Sequence, residues 1–141
     1  HQNLEKEMIG YIREGYEKIE KKLEKSGEVV QIKKGIGTRN RGVLCAGVVP
    51  DSNKVVIGFS ICNKKDREVF NKQTGINKSR GRALKFNKDE TENGSKTIQE
   101  FLSKYTFDEI FVDRLKNFIS RCERYYKDKE FPTWAKEFAN S

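Results

Sequence analysis

Residues 43–62, VLCAGVVPDSNKVVIGFSIC, read as two β-strands joined by a tight turn. Val43–Val49 and Lys54–Cys62 are rich in Val and Ile, whose branched side chains fit a pleated surface. Between them, Pro50-Asp51-Ser52-Asn53 supplies turn chemistry: proline presets its own backbone torsion, and Asp, Ser and Asn bond locally to backbone. Side chains alternate along a strand, so Val55, Ile57, Phe59 and Ile61 share one face. Val56, Gly58, Ser60 and Cys62 share the other. That second face is small, and either a helix packs closely on it or a ligand enters it.

Upstream, Val29–Lys33 is a further strand-like stretch. It runs into Lys33-Lys34-Gly35-Ile36-Gly37-Thr38-Arg39-Asn40-Arg41-Gly42, which reads as a basic, glycine-punctuated loop. P-loop spacing is absent. Backbone N–H groups freed by glycine, with Arg39 and Arg41 beside them, suit an anion; a solvated loop is the plainer reading. Before it, Leu4–Lys25 has helical periodicity, with Leu4, Met8, Ile12, Ile19 and Leu23 on one stripe and Glu and Lys elsewhere. Gly15 interrupts that stripe, weakening the helix or admitting another backbone. Ser26-Gly27 ends it.

Downstream, the second strand leads into Cys62-Asn63-Lys64-Lys65-Asp66-Arg67. Dense polar groups at a strand end are a common place for a binding site. The spacing predicts a short helix over 76–86, carrying Arg80 and Arg82, then an exposed loop over 87–95. A second helix is expected over 96–105 and a longer one over 108–127. Pro132 stands where it can open a closing helical segment.

The 141 residues fit one domain with one modest core. The expected fold is α+β: a small antiparallel β-sheet (28–62), a long N-terminal helix (1–26) and a C-terminal helical group (75–128). No apolar run approaches the roughly 18 residues of a membrane span, and the N-terminus carries no signal-peptide pattern. Cys45, Cys62 and Cys122 are dispersed, odd in number and mostly within apolar segments, as expected of free thiols in a reducing compartment. The expected location is cytoplasmic, with no membrane partner.

The one histidine is His1, so Ser–His and Cys–His nucleophilic pairs and the common zinc motifs have no basis in this sequence. No metal site, cofactor or catalytic residue is therefore expected, and the chain reads as a binding protein rather than an enzyme. With 29 Lys and Arg against 21 Asp and Glu, the formal charge is +8. That favours anionic partners. The twenty lysines are scattered, whereas the nine arginines fall mainly at 39/41, 80/82 and 114/121/124; arginine is the better bidentate phosphate ligand.

On a helical wheel of the 108–127 segment, Val112, Leu115, Ile119, Cys122 and Tyr126 form a core face. Opposite them Arg114, Asn117, Arg121 and Arg124 cluster within a sector of roughly 60–80°. An aromatic ridge of Phe111, Phe118 and Tyr125 lies between. A base can stack on a ring while Arg and Asn hold phosphate or ribose. The plainer reading is a solvated face whose aromatics complete the core, with Glu123 and Asp128 pairing to the arginines.

Three segments carry a resemblance: Val55–Asp66 (VVIGFSICNKKD), Gly75 with Gly81-Arg82-Ala83, and Phe118–Tyr126 (FISRCERYY). Together they resemble the bacteriophage Thoeris anti-defence proteins of the first described type, which sequester a cyclic ADP-ribose-derived signal without degrading it. The resemblance implies a homo-oligomer acting in the host bacterial cytoplasm, with pockets near subunit boundaries. It also implies arginines of the C-terminal helix on the ligand's phosphates. Arg121 and Arg124 match that role, followed by Asn63 and Asp66. The expected ligand is thus a cyclic nucleotide signal, of the cyclic ADP-ribose or cyclic oligonucleotide kind. A DNA- or RNA-binding phage protein is the alternative.

Overall fold

The computed structural model of the chain describes residues 3–62 and 70–141. Three strands come first: β1 (Glu5–Leu23), β2 (Val29–Val48) and β3 (Val55–Ile61). Four helices follow: α1 (Lys72–Glu92), α2 (Lys96–Tyr105), α3 (Glu109–Tyr125) and α4 (Thr133–Ala139). The sheet is antiparallel in the order β1-β2-β3. The fold is mixed α+β, but the expected N-terminal helix does not form, and this overturns the sequence reading of residues 1–26. That segment is the first strand of a hairpin whose turn falls where the helix was expected to stop. Gly27 there adopts φ +87°, and its N–H donates to the Glu24 carbonyl.

The physical reason lies in β2. Its stretch from Val43 to Val48 is fully buried, so its backbone donors and acceptors need partners on both edges. β3 satisfies one edge and β1 the other. The basic loop expected over 33–42 is likewise strand, paired to β1 except at the bulged Lys34 and Arg41.

The inner part of the sheet is covered on both faces. On the small face the helix alternative holds: α1 lays Gly75, Ser79 and Ala83 against β2 and β3. A Cβ on Gly58 would stand 2.2 Å from the Ser79 carbonyl oxygen, and one on Gly75 would stand 2.6 Å from Val43 Cγ2. The Ser60 hydroxyl donates to the Gly75 carbonyl (2.9 Å). No room is left for a ligand. α1 is also longer than expected, running through the polar stretch that reads as a loop. Near its end the buried Asp89 carboxylate accepts from the Thr97 and Ile98 N–H groups at 2.8 and 3.2 Å, so α1 supplies the cap for α2.

On the other face lies the main core. Leu44, Ala46, Val48, Val55, Ile57 and Phe59 pack with Phe86, Ile98, Phe111, Leu115, Ile119, Trp134 and Phe138. Phe59 is its centre, with ring neighbours Phe86, Phe101, Tyr105, Phe111 and Trp134 at 5.1–6.5 Å. α3 crosses β1 at Gly10, where an added Cβ would meet the Phe118 ring at 2.8 Å. The segment after α3 returns to the sheet: the Val55 N–H donates to the Glu130 carbonyl, and the Glu130 N–H to that of Asn53. Among the described residues, no helix is long and apolar enough to cross a membrane.

Beyond Arg13 and Asn40, β1 and β2 leave the helices and continue as a two-stranded ribbon. At ~3.3 Å per residue it reaches roughly 35 Å to its tip. Two irregularities shape it. The register jumps between Ile12↔Gly42 and Arg13↔Asn40, leaving Arg41 as the extra residue. It jumps again between Lys18↔Gly35 and Ile19↔Lys33, where Gly35 takes φ +128°.

Candidate functional site

Four arginines outside α3 have protein partners that the sequence does not reveal. The bulge turns Arg41 inward, as bulges re-aim the side chains they carry. Its guanidinium pairs with Asp108 and lies 3.9 Å from Glu14. Arg39 donates to Glu14 at 3.0 Å and stacks on the Tyr16 ring. Arg80 forms a fork with Glu7, its Nε and Nη2 donating at 2.8 and 2.6 Å; this contact holds the guanidinium charged, raising its pKa. Arg82 donates to the Phe59 carbonyl at 3.1 Å and lies over the Phe101 ring. Arg41, Arg80 and Arg82 thus join α1, the sheet and the start of α3 through contacts within the protein. Asn63 and Asp66 lie outside the described residues.

Phe118 belongs to the core. It is buried beneath β1, as Phe111 is beneath Phe59, so the expected aromatic ridge reduces to Tyr125, which is 58 % exposed. The polar side of α3 is as the wheel placed it. Arg114, Asn117, Arg121 and Arg124 are all exposed, and no ion pair joins these arginines to a carboxylate among the described residues.

At the C-terminal end of α3 this stripe meets a shallow open depression of about 530 Å³. It is lined by Lys6, Arg124, Tyr125, Tyr126, Lys127, Asp128 and Lys129. Lys6, Arg124, Lys127 and Lys129 face a single carboxylate, Asp128. Part of this positive charge offsets the carbonyl end of the helix. The Tyr125 ring stands edge-on to that of Tyr126, 4.8 Å away at 85°. Tyr126 donates its hydroxyl to the Lys6 carbonyl, and burial pushes its phenol well above the ordinary range. Lys6 itself takes φ +50° where β1 slips register between Glu5 and Met8. The slip turns its carbonyl towards Tyr126.

This depression gathers cations from both ends of the chain around one exposed ring. It suits a ligand with phosphate and a planar group. Lys127-Asp128-Lys129 was visible in the sequence as charge after a helix. Lys6 was not, because nothing local joins residue 6 to residue 126. No group of three or more His, Cys, Asp or Glu side chains is placed to hold a metal ion among the described residues. Comparison with protein-family models, curated proteins and solved structures finds no match.

Proposed function

We propose that the chain binds a phosphate-bearing nucleotide on the exposed face of α3 and holds it without cleaving it. The carrying observation is the contrast among the arginines. Those of β2 and α1 are taken up by Glu7, Glu14, Asp108 and the Phe59 carbonyl, whereas Arg114, Arg121 and Arg124 point outward beside Asn117 and Tyr125. The ligand class, a cyclic nucleotide signal, and the role, a phage counter-defence in the host cytoplasm exerted by a homo-oligomer, rest on the resemblance of the three segments to the Thoeris anti-defence proteins.

Calorimetry with cyclic ADP-ribose isomers and with cyclic oligonucleotides tests the reading. One of them binds; the Arg121→Ala/Arg124→Ala variant loses affinity by about 100-fold, as expected for two charge-assisted contacts, and keeps its melting temperature. Bound ligand is recovered chemically unchanged after hours with Mg²⁺. No binding by any of these compounds retires the proposal. The formal charge of +8 favours a second reading, nucleic-acid binding. Affinity for a long duplex or RNA that falls steeply with salt would select it.

A further inference from the structure

The ribbon stands apart from the nucleotide reading and poses its own problem. A two-stranded hairpin alone in water is marginally stable at best. Cross-strand partners share a face, and the register Leu23↔Val29, Ile19↔Lys33 and Glu17↔Ile36 puts Leu23, Val29, Ile19 and Ile36 on one side. They are 70, 63, 48 and 82 % exposed. Among the described residues, the outer edge of β1 has no strand beside it, since the sheet order ends there.

The sequence of that edge fits itself. Glu17-Lys18-Ile19-Glu20-Lys21 is a charge palindrome when read antiparallel about Ile19. We propose that β1 pairs edge to edge, antiparallel, with β1 of a second copy of this chain, centred on Ile19. In this register Lys18 faces Glu20 of the second copy, Glu17 faces its Lys21, and the two Ile19 side chains meet on the axis. Tyr16 comes opposite Lys22, and Gly15 opposite Leu23, so residues 15–23 pair without a like-charge contact, and the first like pair, Glu14 with Glu24, falls past the end of β1. Shifting the centre to between Glu17 and Lys18 brings Arg13 against Lys22. The result is a four-stranded ribbon, β2-β1-β1-β2, in which residues 15–23 of β1 are paired on both edges.

The alternating Glu residues also argue against a nucleic-acid groove as the occupant. On the paired edge, Glu17 and Glu20 would stand near phosphates. A second copy supplies the complementary lysines instead.

Light scattering of the full chain and charge exchange test this. The wild type forms a dimer. Lys18→Glu/Lys21→Glu places acid at all four charged positions, and Glu17→Lys/Glu20→Lys places base there; each alone weakens the dimer by about 100-fold or more. Mixing the two variants restores a heterodimer, and the fourfold reversal E17K/K18E/E20K/K21E dimerises again. These side chains are exposed, and the ion pairs lost within the ribbon, Lys33–Glu17 and Lys34–Glu20, are largely solvated, so the fold survives by circular dichroism. Mild oxidation links the Ile19→Cys variant into a covalent dimer. A wild type that stays monomeric up to about 100 μM, far above the Kd of a specific complex, overturns the proposal. So does a dimer that ignores the charge exchange and is not trapped through position 19.

Discussion

Gly58 of β3 lies directly beneath Ala83 of α1: a Cβ on the glycine would stand 2.3 Å from the Ala83 nitrogen and 2.8 Å from its Cα. Helix backbone and strand backbone touch here, with no side chain between them. Gly58→Ala must therefore push α1 off the sheet, because the obstacle is backbone and has no rotamer to change. The expected cost is about 3 kcal/mol, at the upper end of overpacking penalties. Urea unfolding followed by circular dichroism measures it, and a loss under ~1 kcal/mol would show that the two elements separate easily.

Phe118 and Tyr125 sit on the same helix and have opposite fates. Phe118→Ala opens a cavity against Gly10 and lowers stability by roughly 3–5 kcal/mol. Tyr125→Ala removes a mostly exposed ring and leaves stability within about 0.5 kcal/mol, while weakening nucleotide binding by about 10-fold or more. Denaturation and calorimetry on both variants separate the two effects. Equal losses of stability would contradict the placement of Tyr125.

Arg41 meets Asp108 inside the protein, and Asp108 also caps α3 by accepting from the Ile110 and Phe111 N–H groups. Arg41→Met leaves this carboxylate and Glu14 without the shared guanidinium and costs about 3 kcal/mol. The double variant Arg41→Met/Asp108→Asn recovers part of that loss, because a part-buried carboxylate that has lost its cation is worse placed than a neutral amide. Melting temperatures of the two variants and the wild type form the test; no recovery in the double variant would refute the pairing.

Burial pushes the Cys45 and Cys122 thiols up to about 12 from an ordinary 9.0. Above pH 9 the unfolded chain releases these protons while the folded one keeps them, so ν_U falls below ν_N and stability declines as pH rises towards 12. The slope is roughly 1.4 kcal/mol per pH unit for each thiol. Cys45→Ala and Cys122→Ala each flatten the decline between pH 9 and 11, as read by urea midpoints. An unaltered slope in both variants would assign the alkaline loss elsewhere.

Much of the helical part was legible in the residues. Helices over 96–105 and along the 108–127 segment follow from their apolar spacing, and the structure has them as α2 and α3. The polar stripe of α3 follows from the same wheel. The small face of β3 was legible through Gly58 and Ser60, and its closure by a helix was one of two stated outcomes. The site was less legible. Arg41, Arg80 and Arg82 looked like ligand groups because the sequence shows the cations and hides Asp108, Glu7 and the Phe59 carbonyl that occupy them.

The N-terminal segment separates what the chain encodes locally from what only folding decides. Met8 and Ile12, and again Ile19 and Leu23, are four residues apart. A spacing of four fits one face of a helix and, being even, also one face of a strand. Glu and Lys favour the helix, and Gly10 and Gly15 oppose it, each by about 1 kcal/mol. The sequence by itself determined a stop at Ser26-Gly27, the packed pair of β2 and β3, and the presence of α2 and α3, but not the length of α1. The tertiary structure alone made the start of β1 a strand, because the buried edge of β2 over 43–48 had donors and acceptors that water could not reach and only another strand could satisfy; the ribbon continues that pairing outward to Leu23↔Val29.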